Sequence, residues 1–429
     1  MLIIINPVLP IHRFFNNPAI PREYRRNFIH LYFDIAWFGI LSGSAINFLN
    51  VYAARLGASG FQIGIIAAMP AVVSLFLSIP AGNWLQKRPV GKAVFWAAVL
   101  ARIGYFLWIP LPWLFGNQGQ IWALALITLA MGIPMCWLNV GFNALFAAAV
   151  PAEWRASVVG IRNVVQSLTF IIASFGTGYI LNHLSFPLGY QVIFGIGFLS
   201  AAMSTFHLFF IRPQTEPSAA AAPDLRIIPD VENRNHRLDW HATLRLDIWR
   251  TPYRKILLVL LGFHLSQYIA FPLFAFFTVN ILRLTDANIG LGTALFYLTV
   301  LLVSTQLSLL EHKVGHHKLT GWGVVGMSIY PITLALSHNA LQYYLLSIIG
   351  GFAWALVAGA YANYLLERIP EDDRPAHLAW YNIILNTAVL FGSLAGPFLA
   401  GFIGVGVALI VFGALRLLAG IAILRWGNQ

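Results

Sequence analysis

Twelve apolar stretches, each of about 20 residues or more, follow one another from residue 29 to the end of the chain, and their length decides its class. They cover about 29–52, 61–81, 92–115, 119–149, 157–181, 188–211, 254–280, 288–310, 319–337, 341–366, 377–402 and 405–426. A helix must be about this long to cross the hydrocarbon core of a bilayer. The runs are continuous, not alternating, which excludes a transmembrane barrel. The composition agrees: 59% of residues are hydrophobic and 10% are charged, against roughly 25% charged in a soluble domain. We therefore expect an all-α polytopic membrane protein with the lipid bilayer as its surroundings.

The formal net charge of +11 does not indicate a nucleic-acid partner, because the cations follow the loops. One side of the predicted membrane plane collects Arg13, Arg22, Arg25, Arg26, Lys87, Arg88, Lys92, Arg155 and Arg162. It continues with the cations of 212–255, then Lys313, Lys318, Arg368, Arg374 and Arg425; the opposite side has only Arg55 and Arg283. Cationic loops stay in the cytoplasm, so both termini are expected there, in the cell membrane. The opening "MLIIINPVLPIHRFF" lacks a cationic n-region and a cleavage site and is not read as a signal peptide. Cys136 is the single cysteine, so no intrachain disulfide can form.

The chain divides into an N-terminal segment 1–28, a six-helix unit 29–211, a hydrophilic connector 212–253 and a second six-helix unit 254–429. "RPQTEPSAAAAPDLRIIPD" in the connector reads as a flexible linker. After it, Leu238, Ala242, Leu246 and Trp249 fall near one helical face among arginines, which predicts a helix on the membrane surface; a solvated connector is the alternative.

The two units repeat each other. Leu56, Ile63 and Gly64 recur as Leu282, Ile289 and Gly290, a shift of 226; Gly91 recurs as Gly315; Pro151, Arg155 and Asn163 recur as Pro370, Arg374 and Asn382. The matches keep their order while the shift shrinks, which is the mark of a duplicated unit. An even number of spans per unit makes the copies parallel.

This organisation resembles the major facilitator superfamily of secondary transporters over nearly the whole chain. The family motif G-x-x-x-D-[RK]-x-G-[RK]-[RK] between the second and third helices is matched by Gly82, Lys87, Gly91 and Lys92, with Gln86 at the acidic position and two extra residues before Gly91. The second unit repeats it as "SLLEHKVGHH", with His312 for the acid, then Lys313 and Gly315. The resemblance implies that these loops latch the cytoplasmic ends of the two halves. It also implies a cavity lined by helices 1, 4, 7 and 10, with helices 3, 6, 9 and 12 outside. "GSLAGPFLAG" in the eleventh segment is similar to a motif of proton-coupled exporters, and close helix packing explains it as well.

Ionisable groups inside a membrane are costly, so each deserves a functional hypothesis. Asp34 is the one carboxylate well inside a span and is the first coupling candidate; His264 is the second. Arg102 is expected to reach Asp34, with separate snorkelling as the alternative; Arg416 lies mid-span in helix 12, and Arg162 and Gln166 suit the cytoplasmic vestibule. On the four cavity helices, Asn47 and Asn50, Trp137, Asn139 and Asn143, Gln267 and Tyr268, and Trp354, Tyr361 and Asn363 could bond or stack a solute. Each of these polar groups could instead hold helices together.

A membrane-embedded enzyme is the rival reading, but no clustered catalytic set is evident. His312, His316 and His317 form no H-E-x-x-H pattern, and no G-K-[ST] phosphate loop occurs, so neither metal nor cofactor is expected. The two-half repeat favours alternating access over a fixed channel. The expected activity is movement of a small organic solute by a monomer, with proton-exchanging efflux first and sugar or metabolite uptake next.

Overall fold

A computed structural model describes residues 22–86, 88–213, 245–370 and 373–427; among them there are helices and turns and no strand. Lys87 and most of the predicted surface helix, including Leu238 and Ala242, lie outside the described residues. Helix α1 runs Arg22–Leu41, passes through a π-helical turn at Ser42–Ile46 and ends as Asn47–Arg55. It is followed by α2 (Gly60–Gln86), α3 (Val90–Trp108), α4 (Asn117–Ala149), α5 (Ala152–His183) and α6 (Leu188–Phe209). Helix α7 is broken into Tyr253–Tyr268, Phe271–Phe276 and a π turn Phe277–Ile281, and α8 spans Asp286–Ser304. Helix α9 is split into His316–Met327 and Ile329–Ala335; α10 (Ala340–Leu366), α11 (Arg374–Ile403) and α12 (Val405–Trp426) complete the bundle.

Eleven of these helices are long and apolar enough to cross a membrane. The predicted segment 319–337 is the exception, because α9 breaks at Ser328. Pro331 explains the break: it has no N–H to donate to the carbonyl of Met327, four residues earlier. Pro272 acts the same way on Tyr268 in α7. Both pieces of α9 pack on α10 and α12, so together they run as one interrupted span. The outer surface is apolar, with Phe76 and Phe402 each 75% exposed, as lipid contact requires.

The repeat seen in the sequence recurs in packing. Contacts α1·α5, α1·α6, α2·α4, α3·α4 and α3·α6 have counterparts α7·α11, α7·α12, α8·α10, α9·α10 and α9·α12. It recurs in the turns as well. Gly57 and Arg283 occupy the same position in the two units, and both have positive φ, 86° and 52°. Two residues later, Ser59 and Thr285 cap α2 and α8 by accepting from the N–H groups of Gln62 and Asn288. The units meet along α5·α8 and α2·α11. Glycine permits the close approach: a Cβ on Gly290 would lie 2.6 Å from the Ser174 carbonyl oxygen, and one on Gly64 2.1 Å from that of Ser393.

Several loop expectations change. Helix α2 continues to Gln86, so Gly82 is buried within its last turns and is not part of a loop. The second copy of the motif is not a loop either, since Leu307–Val314 is a short helix. Gly315 ends that helix at φ +84°, where only glycine is comfortable, whereas Gly91 lies in the first turn of α3. The matched glycines therefore do different jobs. At the end of the connector, Leu246–Arg250 is a 3-10 turn whose Ile248 is fully buried in the core of the second unit. Ile248 therefore packs on protein. Arg245 secures the turn, with hydrogen bonds of 3.0 and 2.8 Å to Asp373, while Trp249 meets Trp380 edge-on.

Candidate functional site

Asp34 lies twelve residues into α1 and Arg102 twelve into α3, about 18 Å from the face where these helices begin; Arg162 is ten residues into α5, about 15 Å in. The basic loops crowd that face, which we call the basic face. The three residues are only 4, 6 and 8% exposed, so their charges must be met by protein groups. Asp34 Oδ2 accepts from both Arg162 Nη atoms at 3.3 and 3.4 Å, and Oδ1 accepts from the Ser204 hydroxyl at 2.5 Å. Arg102 Nη2 donates to that same hydroxyl at 2.8 Å, and Nη1 to Thr205. The expected Arg102–Asp34 pair is thus corrected: Arg162 is the direct partner, and Arg102 acts through Ser204 on α6. Arg162 also donates to the Leu31 carbonyl at 2.7 Å and lies 4.9 Å from the Phe142 ring.

Toward the basic face the cluster continues. His30, one turn before Asp34, has its Nδ1 3.0 Å from Nδ1 of His207, one turn after Ser204.

The second unit buries its charge differently. Arg416 is 2% exposed and donates to three main-chain carbonyls: Met327 at 3.2 Å, Ser266 at 3.2 Å and Gln267 at 3.1 Å. These carbonyls lie beside the two helix breaks. One guanidinium therefore satisfies backbone acceptors of both interrupted helices. His264 is buried, with Nε2 2.9 Å from the Tyr361 hydroxyl and 3.3 Å from that of Tyr381. Its Nδ1 has no hydrogen-bond partner. Tyr268 is close by, with ring centres 6.5 Å apart.

Asn139 and Asn143 on α4 are exposed although they lie within a span, and so are Asn163 on α5 and Asn382 on α11. An amide facing hydrocarbon would lose its hydrogen bonds, so positions such as these favour contact with water or a polar solute. All four lie toward the basic face. At the far face the halves are tied together: Arg55 Nη2 bonds Asp286 at 2.9 Å and the Leu284 carbonyl at 2.5 Å.

The other predicted residues divide. Asn47 and Asn50 are half-buried in the far part of α1, and the Asn47 amide nitrogen is buried without a partner. Trp137 packs on Trp84 of α2, and Trp354 joins the core of the second unit. Asn363 is exposed near the basic-face end of α10, with its Nδ2 3.4 Å from His316. There, His316 Nδ1 is 2.6 Å from Glu367 and Nε2 is 3.6 Å from Glu311. His312, at the acidic position of the second motif copy, and Lys313 are exposed, as is Lys92 in the first copy. No group of three metal-ligating side chains occurs among the described residues.

Sequence reading missed the roles of Ser204, Thr205 and Tyr381. Hydroxyls in apolar segments give little signal, although Ser204–Thr205 is a polar pair within α6.

Comparison with known proteins agrees with this architecture. The family model for the Major Facilitator Superfamily matches residues 33–287 and 256–428. A cis,cis-muconate transport protein of Acinetobacter baylyi is 21% identical over 295 residues, 66% of this chain and 67% of that protein. The quinolone resistance protein NorA of Staphylococcus aureus is 25% identical over 119 residues, 28% of this chain and 31% of that one. The fold is shared with a bacterial homologue of the iron transporter ferroportin in an inward-facing state, at TM-score 0.70 and 14% identity over 95% of this chain and 99% of the other. It is shared too with the nucleoside transporter NupG, at TM-score 0.64 and 12% identity over 95% and 100%. This chain of membrane-spanning helices belongs to the Major Facilitator Superfamily and is a secondary transporter.

Proposed function

We propose that the protein carries a small organic solute across the cell membrane by alternating access, coupled to protons through Asp34. The observation that carries this reading is the Asp34–Arg162–Ser204–Arg102 cluster. It is buried and contains a carboxylate whose protonation would cancel one charge. We place the basic face in the cytoplasm, so the structure would be open inward and closed outward by Arg55–Asp286. Units 29–211 and 254–429 then rock about the glycine-lined α5·α8 and α2·α11 contacts. Export by proton exchange and proton cotransport share the Asp34 step; they differ in whether proton and solute occupy the site together. The relatives support an organic solute: one is named for muconate, an unsaturated dicarboxylate, and the other for quinolone resistance.

The test is reconstitution in proteoliposomes with an internal pH dye and a solute panel that includes cis,cis-muconate. Asp34→Asn should abolish solute-dependent proton movement while the protein stays folded. Unchanged coupled movement in that variant would refute the reading.

A further inference from the structure

Building on that reading, we infer that the solute is an organic anion, a carboxylate on a flat apolar body, which replaces Asp34 on Arg162 and travels with the proton.

Charge balance is the starting point. Among the described residues, Arg102, Arg162 and Arg416 are buried inside the bundle against one buried carboxylate, Asp34. Arg416 is committed to three carbonyls and Arg102 to two hydroxyls. Arg162 is the loosely held one. A guanidinium carries five N–H donors and grips a carboxylate at about 2.7–2.9 Å when well paired. Arg162 meets Asp34 at 3.3 and 3.4 Å, and its short bond goes to the Leu31 carbonyl. Asp34 takes its own short bond from Ser204. The guanidinium thus has donor capacity to offer a second carboxylate. Its surroundings suit an apolar body, with the Phe142 and Phe146 rings at 4.9 and 5.9 Å and the exposed amides of Asn139 and Asn143 on the same helix.

The exchange balances. A proton adds to the Asp34 carboxylate and makes it neutral; Arg162 loses its counter-charge, and the solute carboxylate supplies one. One proton and one negative charge enter together, so the buried charge is unchanged. Loading both at once makes the coupling cotransport. The groups around Asp34 are Arg162 from α5, Ser204 and His207 from α6, and Arg102 from α3 through Ser204; on α1, His30 meets His207 and Tyr32 faces Arg162. The histidine pair adds its own pH dependence, so Asp34→Asn is the variant that isolates the carboxylate.

The test uses the purified full chain and matched solutes that differ only in charge: benzoate, benzamide and benzylamine, then 2-naphthoate with its amide and methylamine. In mildly acidic buffer an acid should bind at least ~10-fold more tightly than its amide, as a charge-assisted bond implies. At the same pH Asp34→Asn, which removes the competing charge, should bind the acids at least as tightly as the natural protein and keep that margin. Arg162→Gln should erase it, and Arg162→Lys should keep part of it. The inference is overturned if no acid binds, if an amide or amine binds as well or better, or if Arg162→Gln keeps the margin. An amine that drives Asp34-dependent proton flux would overturn the anion and leave the coupling role standing. Acid binding through Arg162 with coupled flux intact in Asp34→Asn would do the reverse.

Discussion

The two halves of the transporter bury arginine in contrasting ways. In the first, Arg162 and Arg102 converge on Asp34 and the hydroxyls of Ser204 and Thr205. In the second, Arg416 meets only backbone carbonyls, beside helix breaks made by Pro272 and Pro331. A carboxylate can change charge by taking a proton; a carbonyl cannot. On the function proposed above the first half would carry the switch, while the second holds a fixed joint.

The largest effect that separates them is electrostatic. Arg162→Ala strands a buried carboxylate and should cost about 3–5 kcal/mol, measured by thermal unfolding in detergent. Adding Asp34→Asn should restore most of that loss. A double variant no more stable than Arg162→Ala alone would break the comparison. Arg416→Met should cost about 2–3 kcal/mol through its orphaned carbonyls, and Asp34→Asn should not rescue it. Arg416→Lys, which keeps donors in place, should recover part.

Much of this contrast was only half legible in the sequence. Asp34 stood out as the carboxylate deep in a span, and Arg102 and Arg416 as mid-span cations. The direct partner of Asp34 depended on how α5 is rotated about its axis, which one chain's pattern does not reveal. Arg162 was therefore assigned to a vestibule. The partners of Arg416 are not legible in the sequence, because they are main-chain atoms that become free only where helices break. The prolines were visible, but the apolar runs around them read as unbroken spans. The repeat was the firmest sequence feature, since a turn and its cap are local: Gly57–Ser59 and Arg283–Thr285 keep their geometry through the duplication. The Gly91–Gly315 match did not carry over, because the helix ends around it differ in position.

A smaller effect probes the contact between halves. Gly290→Ala places a Cβ 2.6 Å from the Ser174 carbonyl oxygen and should cost about 1–3 kcal/mol. Gly262→Ala, where nothing lies within 4 Å, should be close to neutral. Equal losses at both positions would mean that the glycine crossing does not set the approach of the halves.

The smallest effect concerns the connector. Hydrogen bonds from Arg245 hold the Asp247 carboxyl below its ordinary range. A depressed carboxyl contributes stability above its unfolded-state pKa and loses it as pH falls through the folded value. Acidification below the usual carboxylate range should thus loosen the 245–250 turn, seen as a small change in Trp249 and Trp380 fluorescence. Asp247→Asn should remove the part of the change that Asp247 contributes.

The central claim is that Asp34 gains and loses a proton as the carrier works. Infrared titration of the reconstituted protein measures this directly, through the carbonyl stretch of a protonated carboxyl group shielded from water. The account predicts a band that grows as pH is lowered, strengthens when benzoate is added and is missing in Asp34→Asn. A band that persists unchanged in Asp34→Asn, or no band in the natural protein, would contradict it.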